Sequence, residues 1–205
     1  MTFISNLSKT VAAAAILTSV GFLGSAQAAD LSAVPSGAYS VDPTHAYINF
    51  QYNHLGLSNP TLSFDDFSVD LNLDNADPTQ STVSVTIDAA SIITGSSIWK
   101  DHITGGDFFD TANHPEITFQ STSVEAAGDG AYKVMGDLTI KGEVKPVALS
   151  VTINAAMNHP MSGKPVIGLD ASSNLLRSEF GMGKFTPHVS DEIALNISAE
   201  LVKAQ

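Results

Sequence analysis

The chain has 205 residues, no cysteine and a formal net charge of −12 at neutral pH. Without thiols there are no disulfides, cysteine nucleophiles, cysteine-bound metals or lipoprotein attachment. The acidic balance, with no basic cluster anywhere, excludes a nucleic-acid partner and charge-driven adsorption to anionic lipid.

In chain order, the first feature is a leader. Met1 to Lys9 is a short positively charged start, Val11 to Gly24 is apolar, and Ala26-Gln27-Ala28 supplies small residues at an Ala-x-Ala site. A signal peptide over 1–28, cleaved after Ala28, is therefore expected. The apolar run is shorter than the ~17–25 residues of a bilayer span, and no later run reaches that length, so no stable membrane insertion is expected. Residues 29–205 then form a single exported domain, periplasmic in a Gram-negative host.

The rest of the chain alternates. Ala38 to Val41 is a short apolar run, broken by Asp42-Pro43-Thr44-His45, and from Ala46 to Tyr52 one face carries Ile48, Phe50 and Tyr52. Asn53 to Pro60 reads as loop. Phe67, Val69, Leu71 and Leu73 share a face, as do Val83, Val85 and Ile87 in the next run. Strands resume at Glu116 with Ile117 and Phe119, and continue through Tyr132 to Ile140, Val147 to Ile153, Ile167 to Leu175 and Ile193 to Leu201. Period-two alternation of this kind marks half-buried strands. With short connections and no helix between successive strands, about eight strands form an antiparallel all-β domain. Sandwich and closed barrel satisfy the pattern equally.

One stretch does not alternate. Ser97 to Phe119 holds the sole tryptophan and reads as a helical insertion around 97–113, with Trp99, His102 and Ile103 on one face and Phe108-Phe109 as a second apolar knot. Asp107, after two glycines, has the look of an N-cap for a short helix. Such an interruption is either a plug or the edge of a binding site.

Several motifs recur in one order: Tyr39-x-x-Asp42-x-x-His45, Phe50 with His54-x-Gly56-x-Ser58, Lys100-Asp101-His102, Asp107-Phe108-Phe109-Asp110, Pro115-x-x-x-Phe119, Gly136-Asp137-Leu138-Thr139-Ile140-Lys141-Gly142, Arg177-x-x-Phe180-Gly181 and Asp191-Glu192-Ile193. Together they resemble the YceI-like family of exported lipid-binding proteins over nearly all of 29–205. The resemblance implies an eight-stranded antiparallel lipocalin-like barrel whose interior holds a polyisoprenoid, quinone-like or other long-chain amphiphile, and it leaves a homodimer open. Departures are Ile103 for a common leucine, Lys100 for a frequent arginine and Lys141 for a frequent histidine.

The ligand wall expected on this basis is Phe50, Tyr52, Phe67, Val69, Leu71, Trp99, Ile103, Phe108, Phe109, Phe119 and Leu138. His54, His102 and Arg177 are candidate polar groups at its mouth, with His102 facing inward beside Trp99 and Lys100 facing away. For each apolar residue, plain core packing is the competing reading. Arg177, the only arginine, could instead tie its own loop to the barrel through Glu179, Asp191 or Glu192. No histidine spacing presents two metal ligands together, so no metal is expected. There is no G-x-S-x-G elbow and no marked carboxylate pair, so no catalytic residue is assigned. The leading expectation is a non-enzymatic carrier with no cofactor beyond its lipid-like ligand. The alternatives are an enzyme acting on a lipid head group through mouth histidines, and an acidic stress protein with a solid barrel.

Overall fold

A computed structural model describes residues 29–204. The leader and its cleavage after Ala28 lie outside the described residues. The strands are β1 (Gly37–Gln51), β2 (Thr61–Phe64), β3 (Phe67–Leu73), β4 (Thr82–Asp88), β5 (Ile92–Ile93), β6 (Glu116–Gly128), β7 (Ala131–Ile140), β8 (Glu143–Asn158), β9 (Pro165–Leu176) and β10 (Glu192–Lys203), with one helix, α1 (Ser97–Ile103). Every pairing is antiparallel, and β10 returns to β1 from Tyr39↔Lys203 to Gln51↔Ala194. Eight long strands (β1, β3, β4, β6, β7, β8, β9 and β10) thus form a closed barrel. Closure leaves unpaired strand edge only where the sheet splits beside β1. The expected barrel is therefore the observed one, and the sandwich is not.

The two short strands explain how the barrel opens at one end. β1 pairs with β3 only at Gly37–Ser40 and with β2 only at Ile48–Gln51. β2 in turn pairs with β5 at Phe64↔Ile92. The sheet beside β1 therefore splits, and α1 with its following turns lies at that end.

Asp42 to His45 does not break the first strand, as its sequence implies, but bulges from it. Val41 pairs with Leu201 and Ala46 with Ala199, so residues 42–45 all face Glu200. Extra residues on one strand of a pair loop out without ending the ladder. Asp42 Oδ1 accepts from the Thr44 amide at 2.9 Å and the Thr44 hydroxyl at 2.7 Å. These bonds and the nearby His45 hold the Asp42 carboxyl at about 2, below its usual 3.8. A depressed folded pKa contributes stability above the unfolded value of ~3.9 and loses it as pH falls toward the folded one. Asp42→Asn should therefore lower Tm at pH 6, and the gap to wild type should close between pH ~4 and ~2 in a melting series. A gap independent of pH would contradict this origin.

At the closed end, residues 30–36 cover the barrel. Asp30 caps a single 3-10 turn, Leu31–Ala33. Leu31 and Val34 are buried there against Tyr39, Leu73, Ile167 and Leu201. Asn75 holds the cover in place, donating to the Val34 carbonyl at 2.7 Å and accepting from the Ser36 hydroxyl at 2.6 Å.

Candidate functional site

The inward faces of the strands do not meet in the middle. Two apolar chambers occupy the barrel, an upper one of about 250 Å³ at the open end and a lower one of about 140 Å³ above the floor. They share Ile48, Val85, Phe119, Leu149 and Ile197, which form a waist. Val85, Leu149 and Ile197 point inward yet are only half-buried, because the space they face is unfilled. A solid barrel would have buried them, so the premise of the stress-protein alternative is not met.

The upper chamber has an aromatic wall. Phe50 stacks on Phe64 at 5.7 Å, and Phe109 meets both edge-on at 6.2 and 5.7 Å. Nearer the opening, Trp99 meets Phe108 edge-on at 5.7 Å. α1 is held in place by Ser96, whose hydroxyl accepts from the Trp99 amide. From that start Trp99 and Ile103, one turn apart, face the barrel.

The waist depends on a glycine. Phe119 on β6 lies over Gly136 on β7, so closely that a Cβ there would sit 2.3 Å from Cζ of the ring and 2.6 Å from the Gln120 carbonyl. Only glycine lets the ring lie flat on its neighbouring strand at this point.

Polar groups gather at the mouth. Arg177 is buried, 6% exposed, with its guanidinium at the chamber's edge. Four of its five N–H donors are engaged by backbone carbonyls: Nε by Ser190 at 2.8 Å, Nη1 by Met182 and by Lys184 at 2.9 Å, and Nη2 by Val189 at 3.0 Å. Burial lowers its pKa, opposed by the charge of Asp191 and by Tyr52. Burial likewise raises the pKa of Tyr52, against the opposing effects of the Arg177 charge and the Trp99 indole. Asp191 does not pair with the guanidinium; it accepts from the Ser178 amide at 2.8 Å and the Ser178 hydroxyl at 2.6 Å. The expected tie between this loop and the barrel is present, but it runs through carbonyls rather than a carboxylate.

Three segments ring the opening. Leu55 N–H donates to the His188 carbonyl at 3.0 Å, and Asn53 and Ser190 exchange bonds at 2.8 and 2.9 Å, joining 52–60 to 181–190. Lys141 Nζ donates to Gly106 at 2.6 Å, with Gly181 at 3.4 Å, and Asp107 pairs with Lys184, joining 104–115 to the same segment. Asp107 is thus an ion-pair partner and not an N-cap, and turns rather than a second helix follow α1.

Of the residues singled out in the sequence, Phe50, Tyr52, His54, Trp99, Ile103, Phe108, Phe109, Phe119, Leu138 and Arg177 line the upper chamber. Val69 and Leu71 line the lower one. Phe67 packs against the core cluster beside the upper chamber without lining it. His102 is corrected: it is exposed, lines neither chamber, and only meets the edge of Trp99 at 6.4 Å. In a helix of seven residues Trp99 and Ile103 already span the inward face, and His102 falls on its flank. Missed were Phe64, on a strand too short to show alternation, and Phe180, Met182 and Phe185, on the irregular segment after β9. Arg177-x-x-Phe180-Gly181 was the available signal for the latter. Also missed was a group at the bulge, where the half-buried Asp42 and Glu200 approach the exposed His45, Glu200 coming from the neighbouring strand β10. Among the described residues no buried side-chain nitrogen or oxygen lacks a partner.

The chain is similar to known proteins. A UPF0312 protein of Pseudomonas putida is 35% identical over 199 residues, 96% of this chain and 98% of its own. The crystal structure of Burkholderia cenocepacia BcnA superposes with a TM-score of 0.70 at 30% identity, covering 80% of this chain and 99% of that one. A polyisoprenoid binding domain from Saccharophagus degradans shares the fold at 14% identity, TM-score 0.59, over 83% of this chain and 100% of that one. The YceI-like domain model matches residues 39–201, and with a closed eight-stranded barrel around an apolar interior the chain belongs to the YceI-like family.

Proposed function

We propose that the protein is a non-enzymatic carrier that holds a long-chain amphiphile of the polyisoprenoid or quinone class in its barrel, and that it works in the periplasm after export. The observation that carries this reading is the pair of apolar chambers meeting at a waist. Their 250 and 140 Å³ together fall within the ~300–1,000 Å³ of small-molecule sites, whereas either alone falls short. A branched hydrocarbon tail suits such a space. About ten buried methylenes contribute roughly 8 kcal/mol before ordering costs, so no polar contact is needed for affinity. Tyr52 and Arg177 line the chamber, and as its polar groups would set the orientation of a head group. The polyisoprenoid binding domain of the same fold supports the ligand class. The enzymatic alternative required mouth histidines acting together, and only His54 lines the chamber.

Trp99 is the sole tryptophan and part of the wall, so the fluorescence of the protein reports on the chamber directly. Titration of delipidated protein with farnesol or a longer prenyl alcohol should give a saturable blue shift, and a short alcohol such as butanol should not. No response to any prenyl alcohol would remove the reading.

A further inference from the structure

We infer that the open end of the barrel carries an apolar docking collar that seats on the surface of a phospholipid bilayer. The inference rests on the carrier reading for its purpose and on a separate set of residues for its support. Two of the segments around the mouth, and the helix beside it, carry exposed apolar side chains: Leu55 and Leu57 on 52–60, Phe185 on 181–190, and Ile98 beside Trp99 on α1. Leu57 is 81% exposed and Ile98 74%.

Two of these residues are also strained. Leu55 and Phe185 have φ of 58° and 67°, in the left-handed region that glycine and asparagine occupy easily and bulky side chains do not. Among the described residues the other non-glycine residues with positive φ are Asp110, Asp129 and Lys141. Leucine and phenylalanine at such positions are unfavourable for the backbone and for solvation alike, and both occur at the mouth. Strain held in exposed segments points to a role for the side chain itself.

The occupant follows from continuity and shape. Phe185 is 58% exposed yet also lines the upper chamber, so it links the apolar outside of the collar to the barrel interior. A tail leaving a bilayer along that path would never cross water. The tips come from separate segments around an opening rather than from one flat face, a form suited to shallow insertion among lipid head groups. The chain's net charge of −12 disfavours an anionic surface, so the collar acts by insertion and not by charge.

The test uses Leu57→Asp/Ile98→Asp, neither residue lining a chamber, with Met161→Asp as control. Met161 is 89% exposed on the β8–β9 turn at the opposite end. Co-sedimentation with phosphatidylcholine vesicles is measured alongside Trp99 titration with detergent-dispersed farnesol. Wild type and Met161→Asp should sediment with the vesicles, and the double variant should lose binding about tenfold or more while its farnesol titration is unchanged. Wild type that binds farnesol but not vesicles would overturn the collar and leave the carrier reading standing. Vesicle binding without farnesol binding would do the reverse. Equal sedimentation of wild type and double variant, or a dimer in ultracentrifugation that the double variant abolishes, would also overturn it, the latter by assigning the collar to a second copy of the chain.

Discussion

Arg177→Met should lower the stability of the protein by about 3–5 kcal/mol, because four backbone carbonyls each lose a charge-assisted hydrogen bond worth about 1.5–3 kcal/mol, of which water restores only part. For a domain of this size each kcal/mol is about 2–4 °C, so Tm should fall by roughly 10 °C. The reason is local. Four carbonyls between Met182 and Ser190 face the guanidinium, and removing it unpairs them as a set. Hydrogen exchange should quicken first at the amides of Thr186, Val189 and Ser190, which bond within or beside that segment. Arg177→Lys should recover little, because a single ammonium cannot satisfy acceptors arranged around a planar fork. If Arg177→Met leaves Tm and exchange unchanged and abolishes only ligand binding, Arg177 is a head-group anchor and not a strut.

The second large effect is expected at the waist. Gly136→Ala places a methyl group 2.3 and 2.5 Å from Phe119 ring carbons and 2.6 Å from the Gln120 carbonyl. The ring can turn away, but the carbonyl belongs to a strand locked in register, with Gln120 opposite Asp137 and Ser121 opposite Gly136. Overpacking of this kind costs about 1–3 kcal/mol. A displaced ring would also swing into the waist and cut the lower chamber off, so long prenyl alcohols should lose more affinity than short ones. Adding Phe119→Leu to Gly136→Ala should return part of the stability, a coupling that a double-mutant cycle measures. An unchanged Tm in Gly136→Ala would show that the contact is not tight.

Much of the interior was legible in the sequence because a strand's period is two. Phe50, Phe119 and Leu138 sit on inward faces that alternation alone marks. Barrel closure was not legible in the same way. It depends on β1 meeting β10, a pairing between the two ends of the domain that leaves no local trace. The four residues of β2 follow Pro60 and are too few to alternate convincingly, so Phe64 went unnoticed. Arg177 shows a different limit. Acidic neighbours in sequence drew attention to carboxylates, but a side chain that bonds to backbone carbonyls has partners of any residue type. His102 fails for a geometric reason: at 3.6 residues per turn it lies about 100° around α1 from Ile103, so once Trp99 and Ile103 face the barrel it falls on the flank.

The bulge at Asp42–His45 belongs to the same class of misreading. A proline and a turn-forming aspartate read as a break, and the ladder to β10 continues past them. Elsewhere the exchange went the other way. The Ser97–Phe119 stretch, anomalous among strands, supplies Trp99, Ile103, Phe108 and Phe109 to the upper chamber, so it is wall as well as closure.

A barrel that is a vessel for a long-chain amphiphile carries its cargo with it when the protein is isolated. The most direct measurement is native mass spectrometry of the mature protein purified without detergent from the periplasm of its own host, followed by solvent extraction and identification of what is released. A bound species in the mass range of a prenyl lipid or quinone is expected, with binding weakened in Gly136→Ala. Protein that emerges only as the bare chain, and that takes up no prenyl compound when supplied with one, would contradict the carrier reading.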